Sequence, residues 1–308
     1  MRALTTPADG GTQLGPVTVP EPEPRPDQAV IEVRAVSVNR GDLSLLGMLP
    51  PGSRLGFDVA GTVVRPAADG SGPPVGSRVA GVAERDGWGE RVALSTTRLA
   101  TLPDSVEWAD AAAVPVAGLT ALYALRHARS LLGRRVLVTG ASGGVGRIAV
   151  QLARAAGAEV VAWAGSPERL EGLTALGAAE ATTYDAGPAA TGPVHVLVDS
   201  VGGEVFRSAY QLVERGGTVV CYGNTTRSDL SLPFDWGHAR PGVRLRYIHL
   251  FDEMPRRPVG NDLGVLLRLV AKGALDPQVA LVGDWTDPGP ALRGVGERQV
   301  NGKAVLLF

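Results

Sequence analysis

Three glycines set between two apolar runs, Gly143, Gly144 and Gly146, are the residues of this chain best suited to chemistry. They lie within Val136-Leu-Val-Thr-Gly-Ala-Ser-Gly-Gly-Val-Gly-Arg-Ile-Ala-Val-Gln-Leu-Ala-Arg-Ala-Ala-Gly157. Val136 to Thr139 is β-branched and apolar, as a buried parallel strand requires. From Val145 the apolar positions Val145, Ile148, Ala149, Leu152, Ala153 and Ala156 form a helical stripe, with Arg147 and Arg154 off it and Gly157 placed to end the helix. A glycine turn between such a strand and helix brings backbone N–H groups, here those of Gly144 and Val145, up to a pyrophosphate. Ala141 stands where the first glycine of that fingerprint usually lies. The spacing predicts a dinucleotide site.

The residues after the helix select the dinucleotide. The next strand is read as Glu159 to Trp163, followed by Ala164, Gly165, Ser166, Pro167, Glu168 and Arg169. A site for NAD carries an Asp or Glu at the end of this strand, for the ribose hydroxyls. Here Trp163, Ala164 and Gly165 stand there, and Ser166 and Arg169 offer a hydroxyl and a guanidinium for a 2′-phosphate. We place Arg169 near the start of a further helix, where the macrodipole disfavours a cation by ~0.3–1 kcal/mol. A cation kept there at a cost points to a bound anion, and the cofactor expected is NADPH.

Positioning these residues requires a parallel sheet. Strands are expected at Val136–Thr139, Glu159–Trp163, Ala181–Tyr184, Val194–Asp199, Thr218–Tyr222 and Val243–Leu250, alternating with helices as in a doubly wound fold. The first part of the chain is rich in strands and turns instead, with Ala29–Val38, Gly56–Val64 and Arg78–Val82 read as strands. A helix over Asp262–Lys272 and a last strand over Gln299–Phe308 complete the reading. The fold class is α/β, in three stretches: 1–116, a dinucleotide-binding domain over 117–255, and 256–308 returning to the first.

Composition excludes several classes of function. Of 308 residues 44% are hydrophobic and 20% charged, enough for a sizeable core. A net charge of −1 lacks the basic footprint of a nucleic-acid binder. The apolar stretch Ala111–Leu125 is shorter than the roughly 20 residues that span a bilayer, and it contains Pro115 and Gly118. Residues 1–11 show no signal-peptide pattern, so a cytoplasmic enzyme is expected. The one cysteine, Cys221, sits in an apolar run and reads as a core residue. The four histidines, His127, His195, His238 and His249, show no ligand spacing.

Several further motifs carry a family resemblance. They are Ser37-Val-Asn-Arg-Gly-Asp42, Leu55-Gly-Phe-Asp-Val-Ala-Gly61, Leu102-Pro-Asp104, the run Ala111 to Ala121, Asp199-Ser-Val-Gly-Gly203, Tyr222-Gly-Asn224 and Gly302-Lys303. With the glycine turn, the chain resembles the medium-chain dehydrogenase/reductase superfamily nearly end to end, in its zinc-free branch of quinone oxidoreductases and enoyl reductases. The resemblance implies a GroES-like, partly β-barrel domain split by an inserted Rossmann domain, with the active site in the cleft between them. It also implies a homodimer in which the last Rossmann strands of two subunits pair.

The resemblance assigns residues as well. Where zinc-dependent members carry a catalytic cysteine this chain has Asn39, and their Gly-His-Glu motif is Gly56-Phe57-Asp58 here. The cysteines of their structural zinc lobe are absent. A catalytic zinc takes about three Cys, His or carboxylate ligands, so no metal is expected. The chemistry implied is hydride transfer from nicotinamide to an already activated carbon, the β-carbon of an enone or a quinone. A hydrogen-bond donor must then stabilise the developing oxyanion. Asn39 is the candidate, either for that donation or for holding the nicotinamide ribose, and Asp42 is read as fixing the loop. Leu49 stands where polyketide-type enoyl reductases often carry a tyrosine donor, which favours water or another residue as proton source. Further cofactor contacts carried over are Thr120, Gly143, Gly144, Val145, Gly146, Tyr184, Val201, Tyr222, Gly223, Asn224, Asn301 and Lys303, the last two as a polar pair reaching the cofactor. Phe57, Trp88, Trp236 and Phe251, with Phe234 and His238, are candidates for an apolar substrate pocket. Two other readings are a tailoring reductase of secondary metabolism and an NADPH-binding protein without turnover.

Overall fold

A computed structural model describes residues 1–7 and 14–308. Part of the amino-terminal stretch read above therefore lies outside the described residues. The chain divides into two compact units, Met1–Leu119 with Arg257–Phe308, and Thr120–Arg256.

The first unit opens with a small antiparallel pair, β1 (Arg2–Leu4) and β2 (Pro16–Thr18). The long strand β3 (Gln28–Val38) follows, then α1 (Arg40–Leu46), β4 (Asp58–Arg65), β5 (Arg78–Val82), β6 (Arg91–Ser95), β7 (Leu99–Thr101) and α2 (Trp108–Ala113). β3 is covered on most of both faces rather than on alternate residues; β4, β6 and a strand from the end of the chain pair along its edges, and α2 packs against it. β4 starts at Asp58, two residues later than expected. Gly56 lies at φ +102°, and a Cβ there would come within 2.2 Å of Trp88 Cδ1. The left-handed backbone and the indole pressed against it require glycine, and they bend the chain before the strand begins. Ile31, Leu55, Trp88, Leu94 and Leu306 are in the core of this unit.

The unit boundary falls within α3 (Pro115–His127). The second unit then runs β8 (Arg135–Thr139), α4 (Gly144–Ala155), β9 (Glu159–Ala164), β10 (Glu180–Thr183), α5 (Gly187–Ala190), β11 (Val194–Asp199), α6 (Gly203–Tyr210), β12 (Val213–Cys221), α7 (Trp236–Ala239), β13 (Arg244–Tyr247) and α8 (Leu250–Glu253). Its six strands are parallel, in the order β10-β9-β8-β11-β12-β13. That is the doubly wound dinucleotide-binding order, with the chain reversing direction across the sheet beside β8.

Three local expectations fail. The last strand of this sheet covers only Arg244–Tyr247 rather than Val243–Leu250, because the chain turns into a helix at Leu250. No α-helix follows β9; Pro167–Leu170 is one turn of 3-10 helix, so Arg169 has no macrodipole to oppose. Left-handed Gly172 and Gly177 keep the segment from continuing as a helix. Arg147 is buried despite lying off the apolar stripe of α4. Its guanidinium donates to the backbone oxygens of Ser142 at 3.3 Å and Glu171 at 2.8 Å, satisfying carbonyls that burial would leave bare.

The chain returns to the first unit through α9 (Val259–Ala271), β14 (Val279–Asp284), α10 (Gly289–Gly296) and β15 (Lys303–Leu307). β15 is shorter than the expected 299–308 because Gly302, at φ +129°, turns the chain just before it. It pairs antiparallel with β3, Ala304 opposite Val38, while Ser37 of β3 lies opposite Asp58 of β4. Those two registers bring the start of β15, the end of β3 and the start of β4 to one place.

Candidate functional site

In the second unit, the glycine turn lies where β8 ends. Gly140 has φ +65°, and Gly143 caps the amino end of α4. A Cβ on Gly146 would sit 2.3 Å from the Gly140 oxygen and 2.7 Å from Ala141 Cα, so only glycine lets the helix pack this close. Ala141 is fully buried and donates its N–H to the Trp163 oxygen at 3.0 Å, which ties the turn to β9. The first-turn N–H groups of Gly144, Val145 and Gly146 have no acceptor within a helix. They form a cradle for an anion, and the helix dipole adds to it.

Beside this cradle, Arg169 Nη1 donates to Ser142 Oγ at 3.2 Å. A Cβ on Gly165 would meet the Tyr184 ring at 3.5 Å and Arg169 Cδ at 3.9 Å. Ser142, Gly165, Arg169 and Tyr184 thus form one group at the ends of β8, β9 and β10. Ser142 was not singled out from the sequence; its signal was its place inside the glycine turn. Ser166 hydrogen-bonds the Glu168 side chain, which holds that carboxyl below its usual range. Ser166 therefore has a partner of its own.

The ends of β11 and β12 carry the further residues expected from the sequence. Buried Asp199 accepts from Thr139 Oγ1 at 2.5 Å and from the Gly202 N–H at 3.1 Å, and burial pushes its carboxyl above the usual range. Val201 is buried nearby, and Tyr222 and Gly223 are half-buried. The amide of Asn224 is engaged within its own loop, donating to the Ser228 oxygen at 2.6 Å and accepting from Thr226 Oγ1 at 3.0 Å. Thr120 is buried on α3.

The first unit holds a second polar cluster, built on the two strand registers described above. Asp58 has no exposed surface and four donors converge on its carboxylate. Ser37 Oγ, Asn39 Nδ2 (2.7 Å) and Lys303 Nζ (3.3 Å) reach Oδ2, and the Val116 N–H reaches Oδ1 at 2.7 Å. Lys303 Nζ also donates to Asn39 Oδ1 at 2.7 Å. The Lys303 side chain is 3% exposed, so it is a buried ion-pair partner rather than a solvated charge. Asn39 is the half-buried member of the cluster. Asp42, fully buried, accepts the Asn39 backbone N–H at 2.7 Å and caps α1.

Asp58 went unrecognised in the sequence because it sits in an apolar run. Its signal was a carboxylate at an inward position of a strand, matched by one of only two lysines immediately before the buried run Ala304–Leu306. Asn301, two residues before this lysine, has a buried Oδ1 without a hydrogen-bond partner among the described residues.

The apolar candidates are divided between the units. Trp88 has no exposed surface and donates its indole N–H to the Ser37 oxygen at 3.2 Å. It packs the core and offers no face to a ligand, which corrects its reading as a pocket residue. Phe57 is 7% exposed, and Leu49 packs against the same core. In the second unit Trp236 is 46% exposed, Phe234 is fully exposed, and the Phe251 ring lies 5.7 Å from that of His249.

Comparison with known proteins adds a family. Residues 25–132 match the alcohol dehydrogenase GroES-like domain, and residues 144–249 match the zinc-binding dehydrogenase family. Among curated relatives, Polyketide synthase GfsB of Streptomyces halstedii is 37% identical over 91% of this chain. The spectinabilin polyketide synthase system protein NorB of Streptomyces orinoci is 35% identical over 98%. The chain spans only 5% and 14% of those two proteins. Among solved structures, the quinone oxidoreductase from Thermus thermophilus, whose structures include a complex with NADPH, is 32% identical with a TM-score of 0.86, covering 100% of both chains. CurK enoyl reductase is 26% identical with a TM-score of 0.85, covering 99% of this chain and 98% of its own.

The buried cluster has a pH signature. Burial, and then the nearby Asp58 carboxylate, push the Asp42 carboxyl up from 3.8 to about 7, while the Asn39 backbone N–H, Lys303 and the Asn39 side chain pull it down less strongly. Between those pH values the folded chain holds a proton that the unfolded chain has lost. Asp42 therefore costs stability increasingly as pH rises through this window, and the cost levels off above it. In thermal unfolding across pH 4 to 8, the midpoint of Asp42→Asn minus that of the parent should rise up to about pH 7 and then flatten. A difference independent of pH would contradict the assignment.

Proposed function

Because the chain belongs to the medium-chain dehydrogenase/reductase superfamily, in its branch of quinone oxidoreductases and enoyl reductases, we propose that it reduces the C=C bond of an enone or enoyl compound, or a quinone, using NADPH and no zinc. The observation that carries this reading is the Lys303 ammonium bonded to both Asn39 Oδ1 and Asp58 Oδ2. The oxygens that would have to bind a dication there already face a cation, so these residues do not fit a catalytic zinc. A reduction whose negative charge spreads over a conjugated carbonyl can rely on hydrogen bonds in place of a Lewis acid. The likeness to CurK enoyl reductase supports an enoyl substrate in particular.

For the cofactor, the N–H groups of Gly144, Val145 and Gly146 would take the pyrophosphate. The Arg169 guanidinium, with Ser142 and Tyr184, would take the 2′-phosphate. When bound, NADPH supplies the hydride. Asn39 donates an amide N–H to Asp58, and its side chain also interacts with the buried Asp42 carboxyl; the amide would in turn donate to an oxygen that gains charge, or to a ribose hydroxyl. Its oxygen is occupied by Lys303, so it acts as a donor and not as a base. We also propose a homodimer. β13 is an edge strand with all four residues exposed, a row of unpaired backbone groups suited to the same strand of a second copy.

Three measurements test the reading. With NADPH deuterated at the transferred position and a panel of enones and quinones, label should reach the β-carbon of an enone, and Asn39→Ala should slow turnover about ten- to a thousandfold. Label on a carbinol carbon with the alkene intact would mean a different reaction. A charge-assisted bond contributes ~1.5–3 kcal/mol, so Arg169→Ala should weaken NADPH roughly ten- to a hundredfold and leave NADH nearly untouched; equal losses would refute the 2′-phosphate role. Light scattering at micromolar concentration should give twice the monomer mass, and a monomer would rule out the edge pairing.

A further inference from the structure

The Asn39 carboxamide is gripped at both ends by groups that cannot exchange roles. An ammonium has only donors and a carboxylate only acceptors. Lys303 Nζ lies 2.7 Å from Asn39 Oδ1, and Asp58 Oδ2 lies 2.7 Å from Asn39 Nδ2. Turning the amide over would set its N–H groups against the ammonium and its oxygen against the carboxylate, breaking two charge-assisted bonds and creating two repulsions. Both charged partners are buried, at 3% and 0% exposure, so water is poorly placed to substitute for either bond. The strand pairings fix them further: Ser37 opposite Asp58, and Ala304 opposite Val38. The Ser37 hydroxyl and the Val116 N–H hold the carboxylate from its remaining sides.

We propose that Asp58 and Lys303 are positioning residues that lock the Asn39 carboxamide in a single orientation, so that its N–H edge is presented in one direction as a preorganised donor to the reacting oxygen. The assignment of that oxygen rests on the function proposed above; the lock itself does not. A donor already aimed before substrate arrives needs no reorganisation during the reaction, which is where hydrogen bonds in such sites gain their effect. Lys303 then acts on the reaction through Asn39 and makes no contact of its own with the cofactor.

The four asparagines, Asn39, Asn224, Asn261 and Asn301, make this directly observable. In protein labelled with ¹⁵N only at asparagine, the side-chain amide signals of Asn39 are identified by their loss in Asn39→Ala. Their proton exchange with water should accelerate about tenfold or more in Lys303→Met and in the isosteric Asp58→Asn. Lys303→Arg should restore slow exchange, and the other three asparagines should be unaffected. Two substitutions at different positions keep the test valid if one of them does not fold. Turnover should fall about ten- to a hundredfold in Lys303→Met, with the dissociation constant for NADPH, read from its fluorescence, within about twofold of the parent. Adding Lys303→Met to Asn39→Ala should slow the reaction little further. Unchanged Asn39 exchange in both folded variants would overturn the lock. NADPH affinity lost in step with turnover would place Lys303 on the cofactor and overturn the positioning role. If the parent reduces no enone or quinone, the functional reading falls, while the exchange measurement still decides whether the lock exists.

Discussion

A carboxylate shut away from water has to be surrounded by donors that the protein itself provides, and much of the first unit follows from meeting that requirement at Asp58. Its four donors come from the end of β3, the loop after it, the first turn of α3 and the first residue of β15. Three of these segments are far apart in sequence and meet only if β15 returns to pair beside β3. Removing one member of a buried ion pair typically costs ~3–5 kcal/mol, because the other charge is left without compensation. The return of the chain, the register of β3 with β4 and β15, and the placement of Asn39 therefore meet at one interaction.

The second unit solves a different problem. Its parallel strands end together, and the helix following the glycine turn points its free N–H groups at whatever lies beyond those ends. Close packing of α4 is set by the contact between Gly146 and the Gly140 carbonyl. The Asp199 carboxylate bridges Thr139 at the end of β8 and Gly202 at the start of the next helix. Arg147 and Arg169 look alike in sequence and do unlike work. One is buried and serves carbonyls, while the other is bonded to the rim of the cradle through Ser142.

Much of this was legible in the chain. Strand β11 lies at the residues expected, Val194–Asp199, because a β-branched apolar run bounded by turn residues leaves few alternatives. The doubly wound sheet followed from the alternation of such runs with helical stripes. What the one-dimensional pattern missed were interactions that depend on a third dimension. An arginine off an apolar stripe reads as solvated until the carbonyls around it are known. A tryptophan reads as a pocket wall until Gly56 is seen to seat it in the core. Asn39 and Lys303 were each singled out alone, but their partnership spans 264 residues and passes through Asp58, which local periodicity cannot reveal. The pattern after β9 favours a helix, but left-handed glycines stop it within a turn.

Asp58 and Lys303 should behave as a coupled buried pair in a thermal unfolding cycle. Asp58→Asn and Lys303→Met should each lower the midpoint of the cofactor-free protein by about 5 °C or more. The double variant, in which no charge is left alone, should be more stable than the sum of the two losses implies and lie above at least one of the single variants. Two losses that simply add would show that the charges do not depend on each other and that the buried pair does not act as a unit.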